Sequence, residues 1–342
     1  MKRDIKSMLL TELVEYFASI GERPFRAEQV FRWLHSGAVD FSKMTNLPAA
    51  LQRKLDDEFT ISTPEMLEKQ VSGADGTIKY LWQLADGNTI ESVLMEYEHG
   101  LTVCISTQVG CRMGCAFCAS AIGGLVRDLT AAEMLDQALF AQLDVSQRIS
   151  NVVLMGIGEP LDNYDNVIRF LTLINHPLGL NIGVRGLTLS TCGIVENIDK
   201  LAACDIKLTL AASLHAPDDE TRSRLMPINL TSGVEELFNA CDRYFRATGR
   251  RVTYEYALID GVNDTLRHAR LLARRLAKSG SHLNLILLND VPERGLKASP
   301  PQSVNAFTGI LEQNGVNYTI RRRLGNDIDA ACGQLRRRLR GV

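Results

Sequence analysis

Residues 104–120 read CISTQVGCRMGCAFCAS and carry the strongest indication of the fold. An apolar, β-forming run that begins at Val103 enters this stretch, and three closely spaced cysteines follow it. Gly123 and Gly124 come next, and a helical pattern begins near Thr130. A strand, a loop and a helix in this order predict a βα unit, and the glycines let its loop approach a bound group closely.

The rest of the chain extends this pattern, because apolar runs alternate with amphipathic stretches of helix length at 130–143, 163–175 and 264–278. The apolar runs are VCIS (103–106), NVVLM (151–155), GLTLS (186–190), KLTLAAS (207–213), VTYEYAL (252–258), LNLILL (283–288) and YTIRR (318–322). Such alternation predicts parallel strands joined by helices. About six units are too few for an eightfold barrel. We therefore predict an α/β fold, a partial (β/α)6 barrel with its site at the carboxyl ends of the strands.

The chain before this core has a different pattern. Residues 1–58 show helical periodicity and predict a small accessory domain. Residues 59–96 change to short β runs and predict an antiparallel extension. Its runs are FTIST (59–63), IKYLWQL (78–84) and TIESVLMEY (89–97). The remaining residues, 97–342, are predicted to form the barrel core and a C-terminal segment that contains Cys332.

Composition excludes several classes of protein. The chain is 45% hydrophobic and 23% charged, an ordinary balance for a soluble protein. No apolar stretch approaches the roughly 20 residues of a membrane span, so we expect no membrane partner. Glu12 and Glu15 interrupt the apolar residues near the N-terminus, unlike in a secretory signal, so we expect a cytoplasmic protein. Eight cysteines in 342 residues are too few for a disulfide scaffold. Metal-binding or catalytic thiols are the expected alternative.

Charge is distributed unevenly, although the net charge of −2 argues against a globally basic nucleic-acid surface. Arginines are concentrated in the second half of the chain, at Arg246, Arg250, Arg251, Arg274, Arg275, Arg321, Arg322, Arg323, Arg336, Arg337, Arg338 and Arg340. They could contact phosphates or could lie on solvated helix faces, and charge alone favours neither interpretation.

Cys111, Cys115 and Cys118 form a C-x3-C-x2-C triplet. Thiolates are the usual ligands of iron–sulfur clusters, and three of them leave one iron of a four-iron cluster open. That iron can chelate S-adenosylmethionine (SAM), whose reductive cleavage yields a 5'-deoxyadenosyl radical. Zinc is the alternative, but a zinc site needs a fourth ligand. The nearest histidine, His99, precedes the first strand of the barrel.

Two other positions are candidates for chemistry. Glu159 and Gly158 lie just past the NVVLM run, where a barrel places its site, and the carboxylate could accept the amino group of the cofactor. A turn alone would also explain the Gly-Glu-Pro sequence. Cys332 lies among small residues in GNDIDAACGQL (325–335), so its thiol is either accessible and reactive or buried and inert.

Five motifs together resemble the RlmN/Cfr family of radical SAM RNA methyltransferases. They are CISTQVGCRMGCAFCAS, MGIGEPLDNYDNV (155–167), LTLSTCGIV (187–195), ASLHAPDDETRSRLMPIN (212–229) and GNDIDAACGQL. The resemblance is to the RlmN branch and spans nearly the whole chain. It implies an enzyme that methylates C2 of adenine in the peptidyl-transferase centre of 23S rRNA and in the tRNA anticodon loop.

The resemblance also implies roles for individual residues. One SAM would methylate Cys332, and the radical from a second SAM would take hydrogen from that methyl group. Glu91 would accept a proton, and Cys104 would form a transient disulfide with Cys332 that releases the product. The triplet would hold a [4Fe-4S] cluster, and SAM contacts carry over to Gly158, Glu159, Ser190, Ser213, Leu214, His215 and Asn289. Cys192 stands where the family commonly has serine.

Several alternatives remain open at this point. Without the resemblance, Glu91 is a surface carboxylate on a strand and Cys104 a packed thiol. A Cfr-like enzyme acting at C8 of the adenine would use the same cysteines. A zinc-stabilised RNA-binding module without catalysis is a different class. An enzyme of this type also implies an electron donor such as flavodoxin or ferredoxin.

Overall fold

A computed structural model describes residues 2–277, 279–289, 291–328, 333 and 335 of the chain. The strands in this part are β1 (Arg3–Asp4), β2 (Phe59–Thr60), β3 (Glu65–Val71), β4 (Ile78–Gln83), β5 (Thr89–Tyr97), β6 (Gly100–Cys104), β7 (Gln108–Gly110), β8 (Leu125–Asp128), β9 (Ile149–Leu154), β10 (Leu187–Thr191), β11 (Thr209–Ser213), β12 (Thr253–Leu258), β13 (His282–Leu287) and β14 (Tyr318–Ile320). The helices are α1 (Leu10–Ser19), α2 (Phe25–His35), α3 (Ala49–Glu58), α4 (Ala131–Val145), α5 (Tyr164–Asn175), α6 (Val195–Ala203), α7 (Asp219–Leu225), α8 (Val234–Thr248), α9 (Leu266–Leu276) and α10 (Pro301–Gln313).

Local signals in the sequence set the ends of the core helices. The hydroxyl of Thr130 accepts a hydrogen bond from the backbone N–H of Glu133, whose carboxylate accepts one from the N–H of Thr130. This capping box starts α4, because it satisfies two N–H groups that lack partners within the helix. Gly249 ends α8 at a φ of 67°, a left-handed conformation that glycine adopts without strain.

Ten strands form one large sheet in the order β14–β13–β12–β11–β10–β9–β6–β5–β4–β3. The strands from β6 through β14 in this sheet pair in parallel. Helices connect them in six successive crossovers, with α7 and α8 sharing one. The predicted α/β fold is therefore confirmed. Because the strands are parallel, their carboxyl ends meet at one edge of the sheet, where a site can be assembled from distant residues.

The antiparallel extension consists of β3, β4 and β5 and joins the core through the pairing of β5 with β6. The prediction of a strand at FTIST was largely wrong, since only Phe59 and Thr60 are in a strand. Strand β3 was not predicted, because EMLEKQV is rich in charge and mostly exposed. Charged side chains on such an edge strand hinder pairing with other chains.

The N-terminal helices α1–α3 pack through apolar side chains, including the fully buried Leu13 and Phe17. They belong to the same continuous apolar cluster as the barrel core. The proposed boundaries after residues 58 and 96 stay predictions. Among the described residues, none of the helices has the length and apolar character that a membrane crossing requires.

A buried ion pair joins the N-terminal segment to the barrel. The Nζ of Lys6 lies 2.5 Å from the Oδ2 of Asp136 on α4, and both side chains are 1% exposed. Burial raises the pKa of Asp136 to about 7, although Lys6 opposes that change. Loss of either partner would therefore leave the other as a buried group without its counter-charge.

We expect Lys6→Met to lower the free energy of unfolding by about 3–5 kcal/mol, because removing one partner of a buried pair leaves the other uncompensated. Urea unfolding measures this effect. Lys6→Met combined with Asp136→Leu should recover most of the loss. Lys54→Met is the matched control, since Lys54 forms an exposed pair with Glu58 and exposed pairs contribute little to stability. Equal losses in the two single variants would contradict the prediction.

Candidate active site

A cavity of about 280 Å³ opens at the carboxyl ends of the central parallel strands. This main cavity is lined by the three cysteines of the triplet and by six of the seven predicted SAM contacts, namely Gly158, Glu159, Ser190, Ser213, His215 and Asn289. Leu214 does not line it, and its side chain is fully buried. The structure thus collects residues from five strand ends around one space. Their individual roles remain predictions.

The cysteine loop begins where β7 ends. Gly110 has a φ of 81°, and a Cβ at this position would clash with the carbonyl oxygen of Gly124, so glycine is required. The N–H of Cys111 donates to that same oxygen at 3.0 Å, which closes the loop. Cys118 then leads directly into a short 3-10 turn at Ala119–Ala121. Backbone contacts therefore fix both ends of the loop that carries the three thiols.

The triplet fits an iron–sulfur cluster in its chemistry. Burial raises the pKa of Cys111 to about 12 and also raises the pKa of Cys115. Bound iron would hold such thiols as thiolates, because a coordinating metal deprotonates them. Within the described residues, no three His, Cys, Asp or Glu side chains are already placed around a single metal ion. Cluster thiolates bind separate irons, so the triplet need not converge on one point.

Glu159 connects two strand ends beneath the cavity. Its side chain is 4% exposed, and its two carboxylate oxygens accept hydrogen bonds from the N–H groups of Leu161 at 3.0 Å and Cys192 at 2.7 Å. Burial raises the pKa of Glu159, and these hydrogen bonds oppose the rise. The side chains of Thr191 and Cys192 also hydrogen-bond to the carboxylate and lower its pKa, so donors from both strand ends hold it in place. Gly158 precedes it at a φ of 110°.

His215 lies at the end of β11 with its ring against Phe117, at a centroid distance of 4.6 Å. Its Nδ1 accepts a hydrogen bond from the N–H of Ala257 at 2.9 Å. Burial lowers the pKa of His215 to about 3, so the imidazole is neutral and carries its proton on Nε2. This nitrogen is therefore a donor, which suits a hydroxyl or carboxylate acceptor on a cofactor.

Arg222 on α7 was not identified from the sequence. It is fully buried, and its guanidinium donates to the backbone carbonyls of Leu214, Cys192 and Ser213 at 3.1, 2.7 and 3.1 Å. A fourth bond goes to the side chain of Asn229 at 2.9 Å. The rigid fork of arginine donors thus ties the ends of β10 and β11 together under the main cavity. Nothing in the local pattern of the α7 sequence distinguishes this arginine from its exposed neighbours.

A second cavity of about 290 Å³ adjoins the main one and shares Met155, Ile286, Asn289 and Arg321 with it. We call it the arginine cavity, because Arg321, Arg322 and Arg323 lie along one wall. Cys104 on β6 and Tyr97 on β5 also line it. A space that combines guanidinium groups, apolar side chains and an aromatic ring can accommodate a planar base together with its phosphates.

Glu91 is not the surface carboxylate that the strand pattern alone suggested. Its side chain is 2% exposed, and its Oε2 lies 2.6 Å from the Nζ of Lys79, which is fully buried on β4. Cys104 lines the same small interior space beside the pair. Lys79 was not singled out from the sequence, because only the pairing of β4 with β5 places it next to Glu91.

Cys332 lies outside the described residues, as do Arg336, Arg337, Arg338 and Arg340. Gly333, the next residue in sequence, is described. Its N–H donates to the Oε2 of Glu91 at 2.7 Å. A Cβ built on Gly333 would lie 3.2 Å from the backbone nitrogen of Ser120, two residues after Cys118. The residue that follows Cys332 therefore lies between the buried Glu91 and the cysteine loop.

The three-cysteine loop at the mouth of a partial βα barrel defines a radical SAM protein. In agreement, residues 105–272 match the Radical SAM superfamily, and residues 4–61 match the family described as Ribosomal RNA large subunit methyltransferase N-terminal domain. A solved structure of a radical SAM methyltransferase from Sphaerobacter thermophilus has a TM-score of 0.91 to this chain at 42% identity, covering 97% of this chain and 98% of its own.

The sequences of probable RNA methyltransferases align with almost the whole chain. A probable dual-specificity RNA methyltransferase RlmN of Lachnoclostridium phytofermentans is 50% identical over 337 residues, which are 98% of this chain and 95% of that protein. A protein of the same name from Desulforamulus reducens is 49% identical over 338 residues, 98% and 97% of the two chains.

The chain belongs to the RlmN family of radical SAM RNA methyltransferases. The predicted family, the radical SAM fold and the class of enzyme, a SAM-dependent RNA methyltransferase, are thereby confirmed. Membership implies a [4Fe-4S] cluster and SAM as cofactors and RNA as the substrate. A non-catalytic zinc module does not agree with these findings.

Proposed function

We propose that this enzyme methylates C2 of adenine in 23S rRNA and in the tRNA anticodon loop, through an S-methylcysteine at Cys332. The placement of Gly333 is the observation that carries the proposal. Its hydrogen bond to Glu91 and its approach to Ser120 place Gly333, the neighbour of Cys332 in sequence, beside the cysteine loop. The reaction needs a methyl carrier, a proton acceptor and a radical source close to one carbon atom of the substrate. The position of Gly333 supports such an arrangement.

C2 of adenine is an aromatic carbon that is neither acidic nor nucleophilic enough for polar methyl transfer. The cluster and SAM, when bound at the triplet, would supply the radical that such a carbon requires. Cys111, Cys115 and Cys118 would hold the cluster. Glu159 would accept hydrogen bonds from the SAM ammonium, while Ser190, Ser213, Leu214, His215 and Asn289 would contact its remaining polar groups. Two SAM molecules would be consumed in each turnover, one of them to methylate Cys332.

Glu91 would accept the proton that leaves C2. Its carboxylate is anchored by Lys79 at 2.6 Å and by the N–H of Gly333 at 2.7 Å, so its position relative to the substrate is defined by a buried strand pair. Proton transfer needs an acceptor within hydrogen-bond reach, and buried positioning meets this requirement. Cys104 would then form a disulfide with Cys332 and release the methylated product. Its place beside Glu91 supports this role.

The arginine cavity is the proposed place of the target nucleotide. Its guanidinium groups would contact phosphates, while the adenine turns out of the RNA stack towards the main cavity. Arg246, Arg274 and Arg275 are exposed on α8 and α9, and we propose that they contact more distant parts of the folded RNA. The electron would come from a donor such as flavodoxin or ferredoxin, and we place the enzyme in the cytoplasm.

Anaerobic assay of the reconstituted enzyme with 23S rRNA fragments and tRNA tests this proposal. We expect 2-methyladenosine in digested RNA, identified by mass spectrometry, together with one 5'-deoxyadenosine and one S-adenosylhomocysteine for each methyl transferred. Formation of 8-methyladenosine would instead establish the Cfr-like alternative. A reconstituted protein that forms 5'-deoxyadenosine but methylates neither RNA would contradict the proposed substrate.

A further inference from the structure

Residues 321–328, which follow β14, cross the open side of the partial barrel. Strand β14 is at one edge of the large sheet, and β3 is at the other. After β14 the chain passes along the arginine cavity, where Leu324, Gly325, Asn326 and Ile328 contribute to its wall. It reaches the turn between β3 and β4, which lies about 250 positions earlier in sequence. The two edges of the sheet are thus linked through this segment.

Reciprocal hydrogen bonds hold the segment to the turn. The hydroxyl of Ser72 donates to the Oδ1 of Asp327 at 2.6 Å, and the N–H of Gly73 donates to its Oδ2 at 2.8 Å. In the opposite direction, the N–H of Gly325 donates to the Oδ2 of Asp75 at 2.8 Å. Each side therefore supplies one carboxylate and at least one donor. Hydrogen bonds to a charged acceptor are stronger than bonds between neutral groups.

Both carboxylates are in the form that accepts these bonds at neutral pH. Hydrogen bonding by Ser72 holds the pKa of Asp327 below its usual range. Burial raises the pKa of Asp75, but hydrogen bonds from Gly325 and Thr77 outweigh it and lower the value to about 2. Ser72 is 3% exposed, and its hydroxyl oxygen also accepts from the N–H groups of Ala74 and Asp75. The turn is thus organised around the same hydroxyl that contacts Asp327.

We propose that Ser72, Gly73 and Asp75 form a clasp with Gly325 and Asp327 that positions the C-terminal segment for catalysis. The clasp lies upstream of Cys332, and the hydrogen bond from Gly333 to Glu91 lies downstream of it. Two fixed points therefore bracket the proposed methyl carrier. Ser72 and Asp327 are positioning residues, since neither lines the main cavity or the arginine cavity. The catalytic part of this inference rests on the proposed function, whereas the clasp itself does not.

Hydrogen–deuterium exchange of the holoenzyme tests the clasp directly. We expect amides of residues 321–328 to exchange at least about fivefold faster in Ser72→Ala and in Asp327→Asn, because local opening governs exchange. Ser72 and Asp327 are in direct contact, so their effects should be coupled and the double variant should exchange less fast than the sum of the two single effects predicts. Asp57→Asn is the control, since Asp57 is an exposed carboxylate on α3. Unchanged exchange in Asp327→Asn, or fully additive effects, would overturn the clasp.

Steady-state methylation tests the positioning role. In Asp327→Asn we expect kcat to fall about tenfold, since small misplacements of a reacting group are costly, while the iron content per chain stays at the wild-type value. A loss of fold alone would lower the iron content together with kcat. Faster exchange with an unchanged kcat would overturn the positioning role. If the wild-type enzyme does not methylate RNA, the proposed function fails, and the exchange measurements still decide whether the clasp exists.

Discussion

Cys332→Ala is expected to abolish RNA methylation while the iron–sulfur cluster is retained. The thiol of Cys332 is the proposed carrier of the methyl group, so its removal leaves SAM without an acceptor on the protein. The cluster depends on a different set of thiols, Cys111, Cys115 and Cys118, which line the main cavity. Iron content, visible absorbance and methyl transfer to RNA are the three measurements.

Two further cysteine variants serve as controls for this result. Cys115→Ala should lose both the cluster and methylation, because three ligands are needed to hold the cluster in a stable form. Cys204→Ala should retain both, since Cys204 is only half-buried at the end of α6, away from the cavities. Normal turnover by Cys332→Ala would show that the methyl group does not pass through this residue, whatever the state of the cluster.

Glu91→Gln is expected to lower kcat about 10²–10⁴-fold, the usual contribution of a positioned proton acceptor. Glutamine has nearly the same shape as glutamate and can still accept hydrogen bonds from Lys79 and Gly333, but it cannot take up a proton. Single-turnover methylation of RNA measures the loss. Glu96→Gln is the matched control, because Glu96 is an exposed carboxylate on the same strand.

A stability effect must be separated from this catalytic one. Glu91→Gln also removes the charge opposite Lys79, and loss of one partner of a buried ion pair costs about 3–5 kcal/mol. The double variant Lys79→Met/Glu91→Gln has no charge at either position and should recover much of the thermal stability. We expect it to remain defective in turnover. Wild-type turnover by a stable double variant would show that Glu91 is not the proton acceptor.

Local patterns predicted the barrel core well. The prediction of a helix at 163–175 agrees with α5 at Tyr164–Asn175, and a capping box at Thr130 starts α4 where the pattern indicated a helix. Continuous apolar runs mark the strands because helices cover one face of the parallel sheet and the other face lines the barrel interior, so the strands are buried on both faces. It failed at β3, whose side chains are mostly exposed at the sheet edge and carry little apolar signal.

Some site residues were predicted from local motifs, and others only from the resemblance to the family. Glu159 follows a strand whose carboxyl end could be located from the apolar run, so its place beside the cavity was foreseeable. Glu91 and Cys104 were named through resemblance alone, and the pairing of β5 with β6 places them near each other. Lys79 and Arg222 were not predicted. Their partners lie on other strands or loops, and no spacing in the sequence indicates these contacts.

The cysteine triplet, from Cys111 to Cys118, was determined by the sequence itself, because a loop this short can wrap a cluster with little loss of chain entropy. The tertiary structure alone decided the surroundings of that loop. It places Gly333 between Glu91 and Ser120, and it joins Asp75 to Gly325 across the open side of the barrel. Contacts between residues so far apart depend on strand order and curvature, which local spacing does not encode.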